Sequence, residues 1–403
     1  MSRRINCNVG LSSVEYSRSG IVFRSMAAKA DSPKAQTDPP KAQTDSPKAQ
    51  TDSPKAQTDS PKAQTDSPKA QTDFPKTQLT DEQLKMVKRM KKAIKESAAK
   101  KAPSDLSSQE IATLLSWVMT VFEKQPMLAE ISTPIFVCGD VHGQIVDVLR
   151  LFTDNGWPPL RRYLFLGDYV DRGPNSVDTI VLLFSLKLRF PDDVYLLRGN
   201  HETKPVNAVY GFKDELQQRF PSTTGPDGKP FEVGANLWKY FNNVFAQMPL
   251  AGLVDGKVLC MHGGISPDLK SLDQIRQIPR PLTKTPQKGL IADLLWADPK
   301  AGIGGFQDSK RGASVEFGEK AVIDTCEELQ LDMICRAHQV VMNGYEFFAG
   351  GKLITLFSAP DYCNQYENDG GVLFIGHGLD CKIKGLKSSK KASSAPAKGA
   401  EAK

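Results

Sequence analysis

Apolar residues follow two different spacings along this chain. Between residues 80 and 247 many of them recur at intervals of three and four, the spacing of one face of an amphipathic helix. Ser107 and Glu110 match a capping box, a signal that a helix begins. The pattern predicts helices over residues 80–99, 107–124, 144–152, 174–188, 206–220 and 236–247. Residues 221–234 are rich in Gly, Pro, Thr and Asp and predict a loop before the last of these helices.

Short, unbroken apolar runs form the second pattern and predict buried strands. They cover residues 134–138, 163–166, 194–197, 251–254, 258–261, 333–335, 346–348, 353–357 and 372–375. Five of these runs lead directly into Asp, Asn or His residues, and ligands bind on loops that a rigid sheet holds beyond its strand ends. The two patterns together predict an α+β (α/β) fold, with a central β-sandwich flanked by helices and a site at one edge of the sheets.

The polar residues at these five strand ends are of the types that bind metals. In chain order the loops supply Asp140 and His142; Asp168 and Asp171; Asn200 and His201; His262; and His338. Only one of the five histidines of the chain, His377, lies elsewhere. Oxygen and imidazole ligands without a thiolate suit Mn, Fe or Zn, and two such ions can clamp both oxygens of a phosphoryl transfer. Arg172 and Arg311 are candidates for holding a phosphate, because the planar guanidinium matches phosphate oxygens in pairs.

Composition narrows the class of protein. The chain has 403 residues, of which 40% are hydrophobic and 24% charged, as in globular proteins with a catalytic domain of about 250–300 residues. No apolar run reaches the roughly 18–20 residues of a membrane span. The net charge is +6, but the basic runs lack the motifs of nucleic-acid binding, so we expect neither membrane nor nucleic acid as a partner. The seven cysteines form no CxxC pair, which favours a reducing compartment, the cytoplasm, the nucleus or both.

The predicted domains are a leader, a repeat segment, a catalytic domain and a tail. Residues 1–31 are predicted to be a disordered leader, although their Arg-rich, acid-poor composition also matches a mitochondrial transit peptide. Residues 32–78 repeat Ser-Pro-Lys-Ala-Gln-Thr-Asp, and a proline in every repeat predicts an extended, disordered segment. Its Ser-Pro pairs could be phosphorylated, or the segment could be a passive spacer. The catalytic domain is predicted over 79–386 and a disordered basic tail over 387–403.

The loop sequences resemble those of a known enzyme family. Gly-Asp-Val-His-Gly, Gly-Asp-Tyr-Val-Asp-Arg-Gly and Arg-Gly-Asn-His-Glu begin at residues 139, 167 and 198. In this order and spacing they look like the signatures of the PPP-family serine/threonine phosphoprotein phosphatases. His-Gly-Gly-Ile-Ser-Pro, Arg-Ala-His-Gln and Ser-Ala-Pro-Asp-Tyr-Cys extend the resemblance, which covers about residues 106–386. Leu-Leu-Trp-Ala-Asp-Pro and Gly-Tyr-Glu-Phe-Phe-Ala make the chain most similar to the catalytic subunit of protein phosphatase type 1.

This resemblance implies a metallophosphoesterase-like fold, hydrolysis of phosphoserine and phosphothreonine in proteins, and a role for each loop residue. Two divalent ions (Mn, Fe or Zn) would bind, one to Asp140 and His142, the other to Asn200, His262 and His338, with Asp168 bridging both. A water activated by these ions would attack phosphorus directly, and His201, oriented by Asp171, would protonate the leaving oxygen. The substrate phosphate would contact Arg172, Arg311, Asn200 and Tyr362.

Type 1 phosphatases also bind regulatory subunits through a surface groove that accepts an extended apolar-x-aromatic motif. The positions that match this groove are all apolar: Val258, Met333, Phe347, Leu379, Cys381 and Ile383. An ordinary sheet-edge core would show the same residues, so both interpretations stay open. The chain departs from the family pattern at 203–208, at the 221–234 insertion and at Asp361, where Asn is usual. These departures bear on substrate contacts and on the choice of regulatory subunit.

Two other functions compete with a protein phosphatase. A metallophosphoesterase that acts on small molecules such as nucleotides shares the Asp-His and Asn-His motifs, but the type 1-like segments lie far from them. A non-enzymatic scaffold could use the groove and the repeats alone, but the complete set of ligands and the acid His201 argue against a decayed site.

Overall fold

The computed structural model describes residues 79–225 and 228–388, together with the backbone of 6–9, 12–17 and 20–23. Its α-helices are α1 (Asp81–Ala99), α2 (Ser108–Glu123), α3 (Ile145–Asn155), α4 (Ser176–Arg189), α5 (Lys204–Asn207), α6 (Phe212–Arg219), α7 (Val233–Phe245), α8 (Leu272–Arg276), α9 (Leu290–Trp296) and α10 (Glu319–Glu328). Its strands are β1 (Asn6–Val9), β2 (Ser12–Ser17), β3 (Gly20–Phe23), β4 (Leu128–Ile131), β5 (Ile135–Cys138), β6 (Tyr163–Phe165), β7 (Val194–Leu196), β8 (Thr223–Thr224), β9 (Pro230–Phe231), β10 (Ala251–Val254), β11 (Val258–Met261), β12 (Asp298–Pro299), β13 (Phe306–Asp308), β14 (Val315–Phe317), β15 (Met333–Arg336), β16 (Tyr345–Phe348), β17 (Leu353–Leu356), β18 (Gly370–Ile375) and β19 (Cys381–Leu386).

Two large sheets form the centre of the fold. One has the order β3-β2-β1-β19-β18-β5-β6-β7 and the other β16-β17-β15-β11-β10-β4. Buried residues of both sheets, among them Val137, Leu164, Cys260 and Ile354, form one apolar cluster between them. A second cluster covers the outer face of the first sheet with helices α1 to α4, α6 and α7. A third cluster packs α8, α9 and α10 on the outer face of the second sheet. The predicted β-sandwich flanked by helices is therefore confirmed.

The strand directions explain why the polar loops meet. Strands β5, β6 and β7 run parallel in one sheet, while β11, β15 and β17 run parallel in the other. Parallel strands leave a sheet at the same edge, so each sheet presents its loops on one side. A backbone bridge between Asp140 and Phe357 joins the loop after β5 to the end of β17. The two sets of loops consequently face each other across a single edge of the sandwich.

The helix predicted over residues 206–220 is wrong as one element. The structure has two short helices here, α5 and α6, separated by a turn that leaves Val209 and Tyr210 exposed. Helix α5 ends at Asn207, and Gly211, whose φ of 122° favours glycine, is the N-cap residue from which α6 begins. The carbonyl of Tyr210 accepts a hydrogen bond from the backbone N–H of Arg172, at 3.1 Å. A contact with the loop after β6 therefore accompanies the break in a continuous helical pattern.

The segment 221–234, predicted to be a loop, contains a short two-stranded ladder in which β8 pairs antiparallel with β9.

Helix α2 begins where its capping box predicts. Ser107 accepts a hydrogen bond from the backbone of Glu110, and the side chain of Glu110 accepts one from the backbone of Ser107.

The predicted leader overlaps the three N-terminal strands. Residues 6–9, 12–17 and 20–23 were expected to lack regular structure, but the structure has β1, β2 and β3 there. Strand β1 pairs in parallel with β19, with Cys7 opposite Cys381 and Asn8 opposite Lys382. The open edge of β19 supplies the backbone hydrogen-bond partners that the leader by itself lacks. The repeats at 32–78 and residues 389–403 of the tail lie outside the described residues. Within the described part of the chain, no helix is long and apolar enough to cross a membrane.

Candidate dinuclear metal centre

Backbone hydrogen bonds lock the first two loops of the site together. The N–H groups of Val141 and His142 both donate to the carbonyl of Asp168, at 3.1 and 2.9 Å. His142 and Asp168 have φ values of 37° and 54°, in the left-handed region, where non-glycine residues are uncommon. A Cβ on Gly173 would lie 1.9 Å from the carbonyl oxygen of His142, so this close approach requires glycine.

Glu202 is a buried residue whose part in the site the sequence analysis did not recognise. Its carboxylate accepts hydrogen bonds from the backbone N–H groups of Asp168, Tyr169 and Gly199, at 2.8, 2.8 and 2.9 Å. It therefore ties the loop after β6 to the loop after β7. The signal was its place directly after His201 in the Asn-His-Glu motif.

Four side chains converge on the first possible metal position. The Nε2 atom of His262 lies 2.8 Å from Asn200 Oδ1, 3.2 Å from His338 Nδ1 and 3.3 Å from Asp168 Oδ2. One ring nitrogen carries at most one hydrogen, which can satisfy only one of these three neighbours. A cation between the four atoms would satisfy all of them, so this donor set fits a metal ion of the type that prefers nitrogen and oxygen.

The second possible metal position shares Asp168 with the first. His142 Nε2 lies 3.5 Å from Asp168 Oδ2 and 3.7 Å from Asp140 Oδ2. Burial, followed by the neighbouring His201, lowers the pKa of His142 to about 3, so the ring is neutral. Its Nδ1 lies 2.9 Å from the carbonyl of Val170. That contact uses the single ring hydrogen and leaves the Nε2 lone pair facing two carboxylates, as a metal ligand requires.

The buried carboxyl groups around the two possible metal positions also favour bound cations. Burial, followed by repulsion from Asp168, raises the pKa of Asp140 to about 6. Burial and then Asp168 likewise raise the pKa of Glu202 to about 7. Burial is the larger cause of both shifts and the charge of Asp168 the second, and a bound divalent cation would offset both by favouring the ionised carboxylates.

His201 lies beside both positions, and Asp171 holds it. Asp171 Oδ2 is 2.6 Å from His201 Nδ1, and Asp171 Oδ1 accepts the backbone N–H of Phe212 at 2.9 Å. The other ring nitrogen, Nε2, is 3.9 Å from Asp168 Oδ2. Burial opposes a charge on His201, but Asp168 and Asp171 outweigh it and raise its pKa. The ring therefore presents Nε2 to the same space as the ligand atoms.

The predicted phosphate-binding residues lie around this centre. Arg172 is exposed and its guanidinium lies 4.0 Å from the centre of the Tyr210 ring. The Tyr362 ring is 5.1 Å from the His142 ring. Arg311 Nε is 2.5 Å from Asp298 Oδ2, and the fully buried Arg336 binds the other oxygen of Asp298 at 2.9 Å.

Sequence reasoning missed several of these partners. It assigned no role to Tyr210, Asp298 or Arg336. Arg336 opens the Arg-Ala-His-Gln motif and Asp298 stands in Leu-Leu-Trp-Ala-Asp-Pro, so both carried a signal, whereas nothing in the sequence indicated that Tyr210 would stack on Arg172.

The six predicted groove residues come together in one place. They belong to, or pack against, the apolar cluster between the two sheets. Val258, Met333, Leu379 and Cys381 are buried in it, while Phe347 and Ile383 are partly buried. The partly buried pair marks where this cluster reaches the surface, and β1 pairs with β19 at Cys381 and Lys382, next to Ile383.

A β-sandwich that gathers carboxylate, amide and imidazole ligands at one edge defines a metal-dependent phosphoesterase. The family model of the calcineurin-like phosphoesterases matches residues 133–342. The chain is 45% identical over 278 residues to serine/threonine-protein phosphatase PP1-delta of Caenorhabditis elegans, covering 69% of this chain and 87% of that protein. It is also similar to the solved structure of a Saccharomyces cerevisiae protein serine/threonine phosphatase described as similar to human phosphatase PP5. That match has 32% identity and a TM-score of 0.67, and covers 75% of this chain and 96% of that one.

The chain belongs to the calcineurin-like phosphoesterases and, within them, to the PPP-family serine/threonine phosphatases of the type 1 kind. The predicted family, fold and enzyme class are thereby confirmed. Members of this family use two divalent metal ions, and the structure groups His142, Asp168 and His201, and Asp168, His262 and His338, as possible ligands. Asp168 belongs to both groups.

Proposed function

We propose that this protein hydrolyses phosphoserine and phosphothreonine in phosphoprotein substrates, with His201 as the general acid. The observation that carries the proposal is the His201–Asp171 pair, at 2.6 Å, directly beside the shared ligand Asp168. Serine and threonine oxygens are poor leaving groups unless a proton reaches them as the phosphorus–oxygen bond breaks. A fixed imidazole that holds a proton next to two metal positions supplies that need.

The residues that would hold the two ions are those of the two clusters: Asp140, His142, Asp168, Asn200, His262 and His338. Bound divalent cations supply Lewis acidity to the phosphate oxygens and lower the pKa of water.

The chain itself orients the phosphate and moves the proton. Arg172 and Arg311 present guanidinium groups to the phosphate oxygens, and the stacking on Tyr210 and the pairing with Asp298 limit their motion. Asp171 accepts the hydrogen on Nδ1 and, with Asp168, favours the protonated ring of His201, whose second hydrogen, on Nε2, is the one available for the leaving oxygen.

Exposed aromatic residues beside the centre support a protein substrate over a nucleotide. Tyr210 is 42% exposed over Arg172, and Tyr366 is 44% exposed with its ring 6.0 Å from that of Tyr362. Open aromatic surface of this kind suits the side chains that flank a phosphorylated residue in an extended peptide.

The test compares two substrates with the full-length protein and added manganese. We expect kcat/KM for a phosphoserine protein to exceed that for a nucleoside monophosphate by about 100-fold or more, because an extended peptide can contact more of the surface beside the centre than a single nucleotide can. Equal or greater turnover of the nucleotide would instead identify a small-molecule phosphoesterase. Protein that binds metal but hydrolyses neither substrate would support the scaffold alternative.

We also propose that regulatory subunits dock an apolar-x-aromatic segment as a strand beside β19. Support comes from the partly exposed Ile383 and Phe347 at the end of the inter-sheet cluster. An extended segment gains affinity by pairing with an open sheet edge. In the structure that edge is paired with β1 through Cys381 and Lys382, so a partner strand would have to displace β1.

Docking can be tested with a synthetic apolar-x-aromatic peptide. Deleting residues 1–24 should strengthen peptide binding about threefold or more, because apparent affinity falls with the fraction of molecules whose edge is open. Ile383→Asp should weaken binding, whereas Ile323→Asp, at an exposed position on α10, should not. If the deletion and Ile383→Asp leave the dissociation constant unchanged, the peptide does not bind at this edge.

A further inference from the structure

The loop that carries Asp171 and Arg172 has an unusual backbone. The two residues have φ values of 71° and 69°, in the left-handed region that non-glycine residues rarely adopt because it is strained. Such a conformation persists only where surrounding contacts fix it. Asp171 is fully buried and directs the ring of His201, so whatever fixes this loop also fixes the proposed acid.

Helix α4, which follows this loop, is capped by another helix. Asn175 stands at the N-cap position of α4 but makes no side-chain capping bond. The carboxylate of Glu215, on α6, instead accepts the N–H of Ser176 at 2.8 Å and the N–H of Val177 at 3.0 Å. These are first-turn N–H groups, which lack partners within their own helix. Glu215 therefore supplies from a distance of 38–39 residues the cap that the local sequence lacks.

The same loop is held at two more points, one by α4 through Ser176 and one by α6 through Phe212. The hydroxyl of Ser176, whose N–H is bound to Glu215, accepts the N–H of Asp171 at 3.1 Å. At the start of α6, the N–H of Phe212 donates to Asp171 Oδ1 at 2.9 Å. Asp171 is consequently held through its backbone on one side and its carboxylate on the other.

From this geometry we infer that Glu215 is a positioning residue for the His201–Asp171 pair, acting through the N-terminus of α4. The inference rests on the proposed role of His201 as the general acid. Glu215 touches neither substrate nor metal ligand. It sets the register between α4 and α6, and this register determines where the Asp171 carboxylate meets the imidazole.

The chain offers a matched control on the same pair of helices. Arg219, one turn after Glu215 on α6, pairs with Asp178 of α4 at 2.6 Å and also binds Ser104. This contact joins α6 to α4 without a bond to the 171–177 loop. Glu215→Gln removes one of the two acceptors at the cap and keeps the shape of the side chain, while Arg219→Gln loosens the same helices elsewhere.

The experiment measures each variant on a phosphoserine peptide and on p-nitrophenyl phosphate. The aryl leaving group needs little help from an acid, so a fault in positioning the acid should affect mainly the peptide. For Glu215→Gln we expect kcat on the peptide to fall about 10-fold or more, since small misplacements are costly, and kcat on the aryl ester to fall less than about 3-fold. Arg219→Gln should lower the melting temperature without changing the ratio of the two rates.

A second readout follows the loop itself. Hydrogen exchange of the segment 169–177, measured by mass spectrometry, should become faster in Glu215→Gln and stay unchanged in Arg219→Gln. An equal loss of both rates in Glu215→Gln, or the same change of ratio in Arg219→Gln, would overturn the inference. His201→Ala tests the underlying proposal separately. If that variant loses peptide hydrolysis selectively and Glu215→Gln does not, only the positioning role fails; if neither does, the acid assignment fails.

Discussion

Replacing Asp168 by Asn is expected to abolish the binding of at least one metal ion and to lower phosphoserine hydrolysis by at least about 100-fold. Asp168 Oδ2 lies 3.3–3.9 Å from the Nε2 atoms of His262, His142 and His201, so one oxygen faces both metal positions. Asn removes the charge from this shared ligand. Changing even a residue that only supports a metal ligand costs roughly 10–100-fold, and a ligand common to two ions should cost more.

Metal content and rate should be measured together on purified Asp168→Asn. Asp154→Asn, an acid-to-amide change at the exposed end of α3, is the control and should retain both ions and full activity. Should Asp168→Asn keep two bound ions and more than a tenth of the rate, Asp168 is not the shared ligand.

Replacing His201 by Ala should lower the rate on a phosphoserine peptide by about 10²–10⁴-fold, the usual contribution of a general acid. The expected loss on p-nitrophenyl phosphate is smaller, because its leaving group departs without a proton. Asp171→Asn should change the two rates as His201→Ala does, with the larger loss on the peptide. An amide at this position has no charge with which to stabilise the protonated ring, the form that carries a hydrogen on Nε2.

Bound metal must be quantified in His201→Ala, because His201 lies in one of the two groups of possible ligands. Unchanged metal content with a selective loss of peptide hydrolysis identifies His201 as the acid. Loss of a metal ion together with both rates would instead identify it as a ligand.

Much of the fold follows from local patterns. The capping box at Ser107 and Glu110 predicts the start of α2, and the apolar runs at 134–138 and 258–261 predict β5 and β11. These signals are reliable because each element buries one face, and the spacing of apolar residues along a short stretch of sequence shows which face that is. The helical period of residues 206–220 is equally continuous, yet the chain turns at Gly211. The residues near this turn give no sign of the backbone hydrogen bond between Arg172 and Tyr210 that the turn makes possible.

The site likewise has features that the sequence shows and features that it does not. By itself the sequence determined the ligand types, their order at five strand ends and the family they resemble, because the ability of a side chain to bind a metal ion depends on the type of residue. Only the tertiary structure decided that Glu202 joins two loops, that Arg172 stacks on Tyr210 and that Glu215 caps α4. It also placed strands in a leader that was expected to have none. These contacts depend on hydrogen bonds and stacking between residues that are distant in the chain, so they exist only once the sheets and helices have packed.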